Sequence, residues 1–229
     1  MVIDFRIRPV FKGFLELGII KAWRNIPTDP RAMRPTGFER RHVPSVAEAD
    51  IDMMVREMES AGVVHGVIMG RETMNPVYGG VPNADIHELM ERYPGRFSGF
   101  AGICPHSPDA LAEIEHCVKD WGFKGVSLDP GWCAPAMYAH DERIYPILDL
   151  CQQLGVSVAF AMSAYTGPDL TYCDPGRLMP VFKKFPRLNF VICHACWPKV
   201  EEVLGVAAVC PNLYLVPDCY FYVRNMPFA

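Results

Sequence analysis

Residues 97–131 read FSGFAGICPHSPDALAEIEHCVKDWGFKGVSLDPG. The first eight, FSGFAGIC, form a short apolar run of the kind found in strands buried on both faces. Ser107 then stands as a helix cap before PDALAEIEHCVKDWG, whose apolar residues recur at helical spacing, and GVSLDPG returns to strand. A buried strand, a helix and a second buried strand make the unit of a parallel sheet covered by helices.

The alternation continues in both directions. Towards the C-terminus come DERIYPILDLCQQLG as helix, VSVAFAMS as strand, DPGRLMPVFKKFP as helix and NFVICHA as strand. PKVEEVLGVAAVCP (helix) and LYLVPD (strand) follow. Towards the N-terminus, NADIHELMERYP reads as helix and VVHGVIMG as strand. SVAEADIDMMVREMESAG reads as one amphipathic helix capped by Ser45 and stopped at Gly62, after a long loop from Pro27 to Pro44 and a short helix in KGFLELGIIKAW. The opening MVIDFRIRP alternates with period two, with Ile3, Phe5 and Ile7 on one face and Asp4, Arg6 and Arg8 on the other.

Seven strands are visible, and no Gly-rich first turn marks a doubly wound sheet. The expected fold is therefore an α/β, TIM-like (β/α) barrel, one domain over residues 1–229. Such a barrel usually takes about 250 residues and eight strands, so the sequence reads as incomplete at its C-terminus, with an open edge that a loop or a partner chain would cover.

Composition is that of an ordinary globular chain, half apolar, and the formal net charge of −4 leaves no basic surplus for a nucleic acid. No segment reads as a signal peptide or a membrane span. Nine scattered cysteines, an odd number, are expected to be reduced and mostly buried in a cytoplasmic protein. The expected partner is a small carboxylated molecule, with self-association into a homo-oligomer allowed and neither nucleic acid nor membrane.

In a barrel of this kind the chemistry sits where the strands end. The polar residues there are Arg6 and Arg8, Arg71 and Glu72, Cys104 and His106, Ser127 and Asp129, Ser163, His194 and Asp218. Arg6, Arg8 and Arg71, with Ser127 and Ser163, are candidates for gripping a substrate carboxylate, since guanidinium matches it bidentately. His194 is the candidate general acid/base, with Asp129 to orient it or to share the proton transfer. The structural alternatives are interior ion pairing of the arginines with Asp129 or Asp4, and a histidine bonded into the core. Cys193 and Cys196 form a C-x-x-C, but after the sixth strand rather than at the start of a small redox fold, and with no second ligand pair for zinc.

The order of RYPGRF, GFKGV and FPRLNFVICHA, with IDFRIRP before them and CPNLYLVPD after, resembles the amidohydrolase superfamily. The resemblance is to its branch of amidohydrolase-related hydrolases and aminocarboxymuconate-semialdehyde-type decarboxylases, of the metal-dependent-hydrolase barrel type, and it spans nearly the whole chain. It implies a divalent metal, usually zinc, held by an H-x-H pair on strand one, histidines ending strands five and six, and an aspartate ending strand eight. Here the H-x-H positions fall on Arg6 and Arg8, the strand-five position on Ala161, and the strand-four K-x-H on Ser127-Leu128-Asp129. Of the ligand set only His194 remains, and no metal cofactor is expected. The function implied is a hydrolase or decarboxylase of a small carboxylated substrate, cyclic and lactone forms included, acting without the family's zinc. The alternatives are a non-catalytic anion-binding pseudoenzyme on the same barrel, and a fragment completed by a partner chain.

Overall fold

A computed structural model describes residues 2–24 and 42–219. Seven parallel strands run in chain order: β1 (Val2–Ile7), β2 (Val63–Met69), β3 (Phe97–Gly102), β4 (Gly125–Leu128), β5 (Ser157–Ala161), β6 (Phe190–Cys193) and β7 (Leu213–Val216). The helices between them are α1 (Gly18–Arg24), α2 (Pro44–Glu48), α3 (Ile51–Ser60), α4 (Asn83–Arg92), α5 (Ala110–Lys119), α6 (Tyr145–Leu154), α7 (Met179–Lys184) and α8 (Val200–Val209). Every neighbouring pair of strands is parallel, and the sheet curls into an incomplete TIM barrel. Among the described residues, β1 and β7 do not pair with each other.

The alternation along each strand divides the core in two. Val126, Leu128, Val158, Phe160 and Ile192 pack outward against the helices, in the larger cluster. Val67, Met69, Phe100, Ala159, Val191 and Cys193 pack inward in the lumen. Phe100 needs Gly125 opposite it, because a Cβ there would stand 2.2 Å from the ring.

Three local expectations change. The stretch from Ser45 to Gly62 is two helices, not one. Ala49 turns left-handed (φ 55°), and Asp50 caps the second helix by accepting from the Met53 amide at 3.0 Å. Ser45 is no cap, since its hydroxyl and amide both donate to Glu57. In β1 the two-residue alternation fails, because Asp4 pairs with Gly66 but Ile7 with Ile68, so the first strand carries an extra residue. Phe5 therefore meets Phe100 in the lumen (ring centroids 6.0 Å apart) while Ile7 joins the helix-side core. Nor is β1 a fully buried strand, since Val2 and Ile3 are half exposed along its unpaired edge. Most of the Pro27–Pro44 loop lies outside the described residues.

All nine cysteines are free, eight of them buried. Cys193 faces the lumen and Cys196 the helix side, so the C-x-x-C pair divides between two clusters rather than meeting as a dithiol.

Candidate active site

The mouth of the curled sheet holds a cavity of roughly 330 Å³, lined among others by Arg6, Arg8, Arg71, Trp132, His194 and Asp218. The strands place these groups from opposite ends of the sheet. Arg6 and Arg8, two residues apart at the end of β1, both reach the cavity. At the other end, β6 gives way to three consecutive left-handed residues, His194 (φ 66°), Ala195 (φ 44°) and Cys196 (φ 53°). None of them is glycine, and strain of this kind gathers at functional sites.

His194 and Asp218 form the most defined contact. His194 Nδ1 lies 2.8 Å from Asp218 Oδ1, and the His194 amide donates to Asp218 Oδ2 at 3.1 Å. Arg6 Nη1 reaches the same Oδ2 at 3.2 Å, and the Cys219 amide donates to Oδ1. Burial alone would raise the Asp218 carboxyl. His194 and Arg6 outweigh it and bring the pKa down to about 2. Asp218 is thus an anion, and it holds the tautomer in which Nδ1–H is the donor and Nε2 carries the lone pair. Burial, then the Arg6 charge, lowers the His194 pKa below the ordinary imidazole value, so the ring is neutral at neutral pH.

Arg71 follows β2 and is buried. Its guanidinium lies 4.3 Å from the Trp132 ring centroid, and Nε stands 3.5 Å from Asp129 Oδ2. Tyr78 stacks on Trp132 at 4.9 Å, 13° from parallel. Asn75 Nδ2 bonds the Trp132 carbonyl, tying the loop that carries Tyr78 to the one that carries Trp132. Arg8 is differently served. Its Nη1 donates to the Met69 carbonyl, and its Nη2 is buried without a partner. Burial and the charges of Arg6 and Arg71 push its pKa well below the guanidinium range.

Of the residues chosen from sequence, Arg6, Arg8, Arg71 and His194 come together at this cavity, with Asp129 buried behind Arg71. The carboxylate hydrogen-bonded to His194 is Asp218, so the orienting position is taken by the residue that ends LYLVPD. Ser127 and Ser163 are buried but do not line the cavity, and Ser163 Oγ accepts from the Tyr165 amide in a turn. Trp132 and Tyr78 were not visible from sequence, since an aromatic in a loop gives no periodic signal. His194, Asp218 and Cys219 offer ligand atoms within 4.8 Å of one another, the one group among the described residues with metal-binding spacing.

The family model described as "Amidohydrolase" matches residues 4–225. Among solved structures, an uncharacterized TIM-barrel protein of Bordetella bronchiseptica is 36% identical, with a TM-score of 0.83 over 99% of this chain and 78% of that one. 4-Oxalomesaconate hydratase of Rhodopseudomonas palustris is 19% identical, with a TM-score of 0.59 over 96% of this chain and 74% of that one. 5-Carboxyvanillate decarboxylase of Sphingomonas paucimobilis is 16% identical, with a TM-score of 0.55 over 96% and 78%. These last two share the fold. A local match of 31% identity over 84 residues joins 37% of this chain to protein virilizer of Drosophila pseudoobscura pseudoobscura, of whose length the chain spans 4%.

Proposed function

This chain is a member of the amidohydrolase family, and from that premise we propose a hydrolase or decarboxylase acting on a small carboxylated substrate, cyclic and lactone forms included, without the family's metal. The observation that carries it is the His194–Asp218–Arg6 chain of contacts at 2.8 and 3.2 Å, set beside a guanidinium that lacks an anionic partner. The hydratase and decarboxylase that share this fold act, by their names, on carboxylated compounds.

The donor set does not fit the family's dication. The positions of the H-x-H ligands carry guanidiniums, which cannot lose a proton to become ligands. Asp218, the carboxylate nearest His194, is already engaged through both oxygens, one of them by Arg6. Three guanidiniums at the same cavity, Arg6, Arg8 and Arg71, oppose a further cation.

In the reaction proposed, Arg8 takes the substrate carboxylate and orients it. Neutral His194 accepts a proton at Nε2 as water adds to the lactone carbonyl, Asp218 steadies the imidazolium that results, and the same proton passes to the ring oxygen as its C–O bond breaks. Arg6 and Arg71 lie where fixed cations would stabilise a developing oxyanion. A histidine whose pKa is lowered acts as a base at neutral pH, which favours the hydrolytic arm over delivery of a proton to carbon.

The test is turnover of carboxylated lactones by protein purified without a metal-affinity tag, with and without chelator, alongside elemental analysis. Turnover that survives chelation and falls by at least about a hundredfold in His194→Ala supports the reading. Stoichiometric zinc or manganese, or activity abolished by chelation, overturns it. The existing ion pairs of Arg6 and Arg71 favour one other reading, a site that binds a small anion without chemistry. That reading requires binding retained in His194→Ala with no product from either protein.

A further inference from the structure

We infer that the mouth selects a substrate carrying one negative charge on an apolar body, and excludes dianions. This deepens the proposed function and rests on its assignment of the mouth as a carboxylate site.

The inference comes from the charges that meet there. Among the described residues, three guanidiniums, Arg6, Arg8 and Arg71, face two carboxylates, Asp129 and Asp218. Arg6 is matched by Asp218 at 3.2 Å and Arg71 by Asp129 at 3.5 Å. His194 Nδ1 and the Cys219 amide meet Asp218 at Oδ1, leaving Oδ2 to Arg6 and the His194 amide. One cation is left over, and it is Arg8, held by a backbone carbonyl and with Nη2 buried and unpartnered.

A buried guanidinium without a counter-ion is costly, and one carboxylate removes that cost through charge-assisted hydrogen bonds. A second carboxylate would find no cation to spare. It would have to break Arg6 from Asp218 or Arg71 from Asp129, leaving a buried anion unpaired. Selection against dianions thus follows from an unmatched charge rather than from shape. The rest of the molecule is recognised by what stands at the rim. Ile19, Val77 and Tyr78 are exposed there and line the same cavity, giving the body of the ligand an apolar surface. Asp129 is buried, and its two oxygens and Arg71 Nε make no hydrogen bond, so that pair is held by charge alone.

The experiment is calorimetric titration of the full chain at neutral pH with benzoate, isophthalate and benzamide, and with 3-carbamoylbenzoate, which has the outline of isophthalate with one charge fewer and should bind like benzoate. Benzoate binding at least about tenfold tighter than isophthalate, with benzamide weaker than either, supports the inference. Arg8→Gln then weakens benzoate by at least about tenfold. Asp129→Asn, which leaves a second cation unmatched, turns the preference towards isophthalate. A folded Arg8→Gln protein that binds benzoate undiminished overturns the assignment to Arg8. Isophthalate equal to or tighter than benzoate in the unaltered protein overturns the charge selection while leaving the carboxylate site standing. Failure of every carboxylate to bind, in a protein whose thermal melt is normal, overturns both this inference and the proposed function beneath it.

Discussion

His194 joins the fold and the chemistry in one residue. Its left-handed backbone ends β6, its amide and its Nδ1 both contact Asp218, and Arg6 bears on that aspartate from the far edge of the sheet. The imidazole pKa should therefore lie below the free value of about 6.5. Following the His194 ring signal by NMR against pH checks this. Arg6→Gln removes a neighbouring cation and releases Asp218, so the midpoint should move upward in that variant, and a midpoint that stays put would refute the coupling. The stability consequence has a definite sign. A neutral buried histidine costs the folded state as pH falls from the unfolded value towards the lowered native one. Asp218, held at about 2, adds a second loss between about 3.8 and 2, so acid weakens the fold through both groups. Asp218→Asn should cost about 2–3 kcal/mol at neutral pH in urea titrations, and the difference from the parent should shrink as pH falls below about 3.8.

At the scale of elements, the site depends on how closely strands approach where they end. Gly70 and Gly102 cross at the top of β2 and β3, and a Cβ on Gly102 would stand 2.2 Å from the Arg71 amide nitrogen. The obstacle is backbone, which cannot swing aside, so Gly102→Ala should displace Arg71 from Trp132. The expected result is weaker carboxylate binding by at least about tenfold together with a lower melting temperature, read by calorimetry and thermal denaturation. Asp50→Ala, by contrast, removes the cap of α3 and an exposed ion pair with Arg56, and should cost about 1 kcal/mol with binding unchanged. These cases also show what a sequence can carry. The strand–helix alternation was legible because buried apolar runs and helical spacing are local patterns. The positions of Arg6, Arg8, Arg71 and His194 at one mouth were legible because they end strands of a parallel sheet. The β1 bulge was not, since an extra residue in one strand is defined only against its partner. The choice of Asp218 over Asp129 as the partner of His194 was hidden for a related reason. Both end strands, and the left-handed backbone at His194 and at Asp218 (φ 43°), which brings ring and carboxylate together, has no signature in the residue types.

On the scale of the whole molecule, the sheet's two edges set the remaining behaviour. β1 offers Val2 and Ile3, each half exposed, and β7 offers Tyr214, while Phe5, Val191 and Val216 border a largely apolar cavity of roughly 410 Å³ between them. Parallel sheets of this kind are ordinarily covered on both faces and closed at their edges, and an apolar strand edge is a template for another chain. The only side-chain ion pair joining β1 to the segment after β7 is Arg6–Asp218 among the described residues, and it lies at the mouth end. It therefore steadies the site without covering the apolar edge below it. We propose that this chain associates with itself through that edge, to an extent that rises with concentration. Ile3→Lys places a charge in the edge, away from the mouth, and should lower the associated fraction in light scattering while leaving carboxylate binding unchanged. Arg6→Gln should do the reverse, loosening the mouth and weakening binding with little effect on association at the apolar end. If both substitutions changed binding and association together, the edge and the site would be one cooperative unit rather than two independent parts of the sheet.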